Sequence, residues 1–197
     1  RGQFLELVTS AEKEILMLFP TQAAFRREEI IGVNDEIERA VLKKGVKVRL
    51  LTPLDNDVRE KIAAHHWTVK SEGFEQQSLR PGSPEIREID SPLTEVQITF
   101  VILDRSKSFI IEIKDNSKLE FKDAIGLATY SDSKPTVSSY VVFFEKLWHE
   151  SALRKSESAA RRQLTESLRR EENASAQAKL LQDIMAHDIV NYNQIIK

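Results

Sequence analysis

Apolar and polar positions change period along this chain, and each change marks an element. Phe4, Leu5, Leu7, Val8 and Ala11 recur at three- and four-residue spacing, which predicts a short amphipathic helix over residues 3–12. The compact apolar run Ile15 to Phe19 closes at Pro20 and predicts a buried strand. Phe25, Ile30, Ile31, Val33, Ile37, Ala40 and Val41 return to the helical period, over residues 23–44. Lys43 and Lys44 in the last turn and Gly45 after it end that helix. Residues 46–51 alternate and then turn fully apolar, as a half-buried strand does, and Pro53 stops them. Asn56 is placed to cap a helix over residues 58–67.

Strand, helix, strand, helix predicts a mostly parallel sheet. Gly73, Pro81, Gly82 and Pro84, among Ser and Gln, predict a loop over residues 70–85. Residues 86–90 read as a strand. Residues 96–103 and 108–114 are strongly β-prone, and Asp104-Arg105-Ser106-Lys107 joins them as a hairpin. Residues 124–130 predict one more strand. Ser133 then caps a helix with Pro135 in its first turn. The fold class expected is α/β: a mixed sheet flanked by helices, with a long C-terminal helix.

That last helix starts with a core-facing stripe, Val137, Tyr140, Val141, Phe144, Leu147 and Trp148. Beyond Trp148 the composition shifts to Ser, Ala, Arg and Glu. Leu153, Ala160, Leu164, Ser167, Ala174, Ala178 and Leu181 form a weak heptad seam flanked by charges, as in a parallel coiled coil. The expected organisation is a globular domain over 1–148, a coiled-coil linker over 149–180, and the start of another helical segment over 181–197. The chain opens and closes in mid-pattern, so a longer parent is expected.

Composition narrows the function classes. Charged residues are 30% of the 197 and the net charge is −2, which biases the chain toward neither nucleic acid nor anionic membrane. No apolar run approaches the roughly 18 residues that span a bilayer, and with no signal peptide and no cysteine a cytoplasmic location is expected. Cysteine is absent, which removes thiolate metal sites and cysteine nucleophiles. His65 and His66 are adjacent and diverge on a helix by about 100°. They predict a surface pair, and no metal site is expected.

Two stretches carry candidate chemistry. In the first, His187 is followed by Asp188 and, four positions on, by Asn191, within a helical pattern that puts His187 and Asn191 on one face. A neutral imidazole is nucleophilic near pH 7, and a neighbouring carboxylate favours the tautomer that phosphorylation needs. His-acid-x-x-Asn on such a helix resembles the phosphoacceptor box of sensor histidine kinases, of the archaeal type. The resemblance implies His187 as phosphoacceptor, Asp188 as its acid/base partner and Asn191 as the phosphatase amide. It departs from many members in having Tyr192 where they have Pro. It also implies ATP and Mg in a part of the parent beyond Lys197, with no cofactor in this stretch.

The second resemblance covers residues 1–148. Glu14-Ile15-Leu16-Met17, the helix to Gly45, Gly45-Val46-Lys47-Val48-Arg49-Leu50-Leu51-Thr52 and Val101-Ile102-Leu103-Asp104 resemble a phospholipase-D-like half-domain. The motif of that family is His-x-Lys-x-x-x-x-Asp, with a phosphoryl nucleophile and a neutralising cation. Laying its Asp on Asp104 puts Gln97 at the His position and Thr99 at the Lys position, so both reactive groups are missing. What the resemblance then implies is a polar ligand cleft, with Gln97, Thr99, Asp104, Tyr130 and Ser131 as candidate lining residues.

The two resemblances together imply the sensory and dimerisation part of a two-component histidine kinase. Its expected partners are a second copy through the C-terminal helix, a response-regulator receiver domain, and a small-molecule or protein signal. Neither nucleic acid nor a membrane span is expected. The alternative is the ligand-sensing domain of a transcription regulator on a non-catalytic phospholipase-D-like fold. A hydrolase with a different site would need a nucleophile that the chain does not show.

Overall fold

The computed structural model describes residues 2–69, 82–89 and 96–195. The elements are α1 (Gly2–Ser10), β1 (Glu14–Leu18), α2 (Gln22–Ile30), α3 (Val33–Lys44), β2 (Lys47–Thr52), α4 (Asn56–Ala64) and β3 (Thr68–Val69). They continue with β4 (Glu85–Glu88), β5 (Ile98–Leu103), β6 (Lys107–Ile113), α5 (Phe121–Ala124), β7 (Ile125–Ser131) and α6 (Lys134–Ile195). Residues 1–154 form one compact unit and residues 155–197 another.

The seven strands make one mixed sheet in the order β3-β4-β2-β1-β5-β6-β7. The first four run parallel, and β5, β6 and β7 are each antiparallel to their predecessor in the sheet. The expected parallel arrangement therefore holds for half of the sheet only. The β5–β6 hairpin enters beside β1 in the opposite sense, with Leu16 opposite Ile102. Most of the predicted loop over 70–85 lies outside the described residues.

β1 is apolar from Ile15 to Leu18 because both of its faces are covered there. Ile15 and Met17 join one core with Phe4, Phe25, Ile37, Val48, Leu50, Val101 and Ile111, beneath α1, α2 and α3. Leu16 and Leu18 join the other with Leu51, Phe100, Ile102, Val137, Phe144 and Trp148, beneath the start of α6. Phe144 is wholly buried, and a Phe→Ala change at such a site costs about 3–5 kcal/mol. At the outer edge of the sheet, Gly126 to Tyr130 of β7 are all exposed.

Two expected helices differ in detail. The single helix over 23–44 is two, because Gly32 takes φ +86° and breaks the ladder between α2 and α3. L-residues with a Cβ avoid that region, so the glycine sets the corner. The helix expected from 58 to 67 is α4, and its cap is Asp55, whose side chain accepts the Val58 N–H at 2.8 Å. His66, at φ +57°, ends that segment, and Trp67 turns back into the core. Two short elements, β3 and α5, had no separate signal in the pattern.

Candidate functional site

β5 positions the first candidates. Gln97 lies just before the strand and is exposed, and its carbonyl accepts the Ile113 N–H at 2.8 Å. Thr99 lies opposite Ile111 and is only 2% exposed. An amide and a sheltered hydroxyl stand where the motif would need an imidazole and an ammonium. Neither supplies the imidazole nucleophile or the ammonium cation of that motif.

Asp104 is at the other end of β5, in the turn to β6. The turn closes through the Ser106 N–H to the Leu103 carbonyl at 3.0 Å, and Asp104 and Arg105 both adopt left-handed conformations, at φ +52° and +54°. Such a pair of residues matches the twist of a tight hairpin. The carboxylate of Asp104 accepts the backbone N–H groups of Glu12, Lys13 and Glu14 at 3.0, 2.7 and 2.9 Å. Burial pushes this carboxyl up, and the three backbone donors outweigh burial and hold it below the usual value.

The expectation of one cleft lined by Gln97, Thr99, Asp104, Tyr130 and Ser131 is thereby corrected. Seven residues of extended chain, about 23 Å, separate Gln97 from Asp104. Tyr130 and Ser131 pair with Phe109 and Ser108, toward the Asp104 end. The five residues divide between the two ends of the sheet, and Asp104 is a clasp between the hairpin and β1.

Beside that clasp is a cluster of charges that the residue pattern did not single out. Arg49 of β2 donates to Glu14 at 2.9 Å and to both oxygens of Glu145 on α6, at 2.9 and 2.7 Å. Arg105 donates to Glu14 at 2.7 Å and to Glu145 at 2.5 Å. Arg49 also lies against the rings of Phe144 and Trp148, at 5.5 and 5.4 Å, and Arg87 lies 4.3 Å over Trp148. Two arginines close on Glu145, and the hydrogen bond from Arg49 does most to bring its carboxyl down to about 2. The cluster therefore ties β1, β2 and the hairpin turn to the first part of α6.

On the opposite face, α2 buries Arg27 and Glu28, each 2% exposed. Arg27 donates to the Lys118 carbonyl at 2.9 Å and to the Asn116 side chain at 3.0 Å. Burial raises the Glu28 carboxyl to about 8 against the pull of Arg27, and its Oε2 finds no hydrogen-bond partner among the described residues. His65 is not the surface residue expected. Its ring stacks on Trp67, and its two nitrogens meet Glu29 at 3.2 Å and Glu38 at 3.3 Å. The two carboxylates take opposite ring nitrogens, so the three groups do not converge on one ion. Among the described residues no group of three acidic, His or Cys side chains is arranged to hold a metal.

The backbone of α6 is helical through Ile195, which keeps His187 and Asn191 about one turn apart. Their side chains, and that of Asp188, lie outside the described ones. Within residues 155–197, Leu164, Leu168, Leu180 and Leu181 are each more than half exposed. No described helix is long and apolar enough to cross a membrane.

No protein-family model matches this chain, and no curated protein does. Solved structures do. A TrmBL2 structure, described as that of an archaeal chromatin protein with a novel mode of DNA binding, superposes with a TM-score of 0.51 at 16% identity. The match covers 77% of this chain and 49% of that one, so this chain spans about half of its length. Nuc from Salmonella typhimurium, a phospholipase D family member, superposes with a TM-score of 0.51 at 14% identity, over 76% of this chain and 86% of that one. The fold is phospholipase-D-like. The expectation that nucleic acid is not a partner is corrected, because a protein of this fold is described as DNA-binding.

Proposed function

We propose that this chain is the ligand-sensing part of a transcription regulator, on a phospholipase-D-like scaffold without hydrolytic chemistry. The observation that carries the reading is the replacement at the start of β5. The exposed amide of Gln97 and the sheltered hydroxyl of Thr99 occupy the positions that the family's motif gives to nucleophile and cation. The scaffold around them is intact, and α6 leaves it as one continuous helix, suited to pass a change in the domain to an output module. The DNA-binding description of TrmBL2 supports transcription as that output.

A specific observation favours a second reading. His187, Asp188 and Asn191 share that same unbroken helix at the spacing of a kinase phosphoacceptor box. In this reading the parent binds ATP and magnesium elsewhere and transfers the γ-phosphoryl to a ring nitrogen of His187.

One experiment separates them. The full parent is titrated onto labelled duplex DNA across a salt series, and in parallel incubated with labelled ATP beside a His187→Gln variant. The regulator reading expects DNA affinity that falls steeply with salt and no label. Acid-labile label that disappears in His187→Gln, without DNA affinity, replaces it with the kinase reading. Turnover of bis(p-nitrophenyl) phosphate would overturn the loss of hydrolytic chemistry common to both.

A further inference from the structure

The sensory reading leaves its ligand unnamed, and a cleft at the Gln97 end of the sheet carries the chemistry to name a class. Gln97, Ile98, Glu112, Ile113, Lys114 and Gly126 line about 580 Å³ there. That is the size of a small-molecule site, about 300–1,000 Å³. Two local features open it. The pairing of β6 with β7 shifts register between Ile111 and Ile113, which interrupts the regular ladder there. Gly126 then leaves room at the wall, where a Cβ would stand 3.4 Å from Glu112 Oε2.

Ile98 is opposite Glu112 in the strand pairing and shares its face, whereas Ile113 belongs to the core on the other face. Ile113 is buried and Ile98 half-buried, whereas Gln97, Glu112 and Lys114 are exposed. Glu112 and Lys114 are two positions apart at the end of β6, and they form no ion pair with each other. Among the described residues, the side chains of Gln97, Glu112 and Lys114 have no hydrogen-bond or ion-pair partner. Glu112 and Lys114, two positions apart along the strand, thus share a face with both charges unused, beside the half-buried Ile98. Separately, an exposed charge of this kind contributes little to binding. A ligand bearing both signs on a short frame engages the pair together and sets its body on Ile98.

We propose that this cleft binds a free α-amino acid, with its ammonium on Glu112, its carboxylate on Lys114 and its side chain against Ile98. The proposal rests on the sensory reading for its biological meaning, and on the cleft alone for its chemistry. A ligand of this size in a half-open site is expected to bind with a Kd on the order of 0.1–1 mM.

The test titrates the 197-residue chain with an equimolar mixture of the twenty amino acids, followed by calorimetry or thermal shift, and then with each singly. The best amino acid is compared with its decarboxylated amine, its deaminated acid and glucose. Saturable binding of the zwitterion is expected, with amine and acid each at least roughly tenfold weaker. Glu112→Gln and Lys114→Gln are expected to weaken it by roughly 10- to 100-fold, as the loss of a charged hydrogen bond does. Gly126→Val, which fills the wall with a residue suited to a strand, is expected to abolish it. Both charge variants are on the surface, so they remain informative if Gly126→Val fails to fold.

No saturable binding by about 10 mM amino acid, ten times the weakest Kd expected, would overturn the proposal. Binding of glucose alone would do the same, as would amino-acid binding indifferent to all three variants. The sensory reading fails separately. Amino-acid binding that leaves the DNA affinity and labelling of the parent unchanged keeps the cleft and removes that reading. A ligand response of the parent that survives all three variants keeps the reading and removes the cleft.

Discussion

The Asp104 carboxylate accepts the backbone N–H of Lys13 at 2.7 Å, across 91 residues of chain. With the N–H groups of Glu12 and Glu14 on the same carboxylate, this bond fixes the hairpin turn to the start of β1. Asp104→Ala leaves those donors unmet and is expected to cost about 2–4 kcal/mol, whereas Asp104→Asn keeps a neutral acceptor and costs less. Denaturant unfolding of the two variants measures this. Equal stability of Asp104→Ala and the parent chain would mean that the clasp is idle.

The same clasp has a pH signature. The folded carboxyl is held below its ordinary value, so the native state releases its proton more readily than the unfolded one. Its contribution is complete above the unfolded value, near about 4, and is lost as the pH falls toward the folded one. Stability followed from pH 6 downward should fall less steeply in Asp104→Asn.

Glu145 makes an independent case on α6. Its folded value of about 2 lies below the ordinary carboxylate value of 4.5, so its stabilisation is present above that value and disappears as the pH falls through the interval. Glu145→Gln removes the charge that Arg49 and Arg105 share. A double-mutant cycle of Glu145→Gln with Arg49→Met should show a coupling of about 1–3 kcal/mol. Strict additivity of the two changes would dissolve the cluster as an energetic unit.

Glu28 runs in the opposite sense. Its folded value of about 8 is above its ordinary 4.5, so the native state holds the proton longer than the unfolded one. The contribution of this group is then most favourable below about pH 4.5 and is eroded as the pH rises toward 8. Glu28→Gln should flatten that slope and leave the protein more stable than the parent at pH 8. A thermal-unfolding series from pH 5 to about pH 8.5 checks it. A slope identical in both proteins would contradict the assignment.

Gly32 joins α2 to α3 at φ +86°. Gly32→Ala should cost about 1–2 kcal/mol, the penalty of a Cβ in the left-handed region. A neutral effect would show that the corner can be made another way.

Most of the sheet was legible because a strand covered on both faces has an unmistakable composition. Leu16, Met17 and Leu18 go to different cores, yet all three must be apolar. The corner at Gly32 was not, since the apolar spacing from Phe25 to Val41 runs on across it. The candidate cleft was read at half value. Gln97 is where a reactive strand end would be, whereas Glu112, Lys114 and Gly126 reach it only through the pairing of β6 with its neighbours. The charge cluster on Glu145 was hidden for the same reason. Glu14, Arg49, Arg105 and Glu145 are far apart in the chain, and no local period connects them.

β7 carries one more consequence. A last strand offers its outer N–H and C=O groups to any chain that drifts against it, and proteins commonly guard such strands with charge, proline or a bulge. Ile125 to Ser131 contains no charge and no proline, and its irregularity lies at the Ile125 end. Leu127 and Tyr130 add exposed apolar surface of 62% and 45%. Among the described residues, β7 is therefore a sheet edge without such guards. Concentrated samples should gain intermolecular sheet there, and Thr129→Lys should raise the concentration at which light scattering first appears while leaving the melting temperature unchanged.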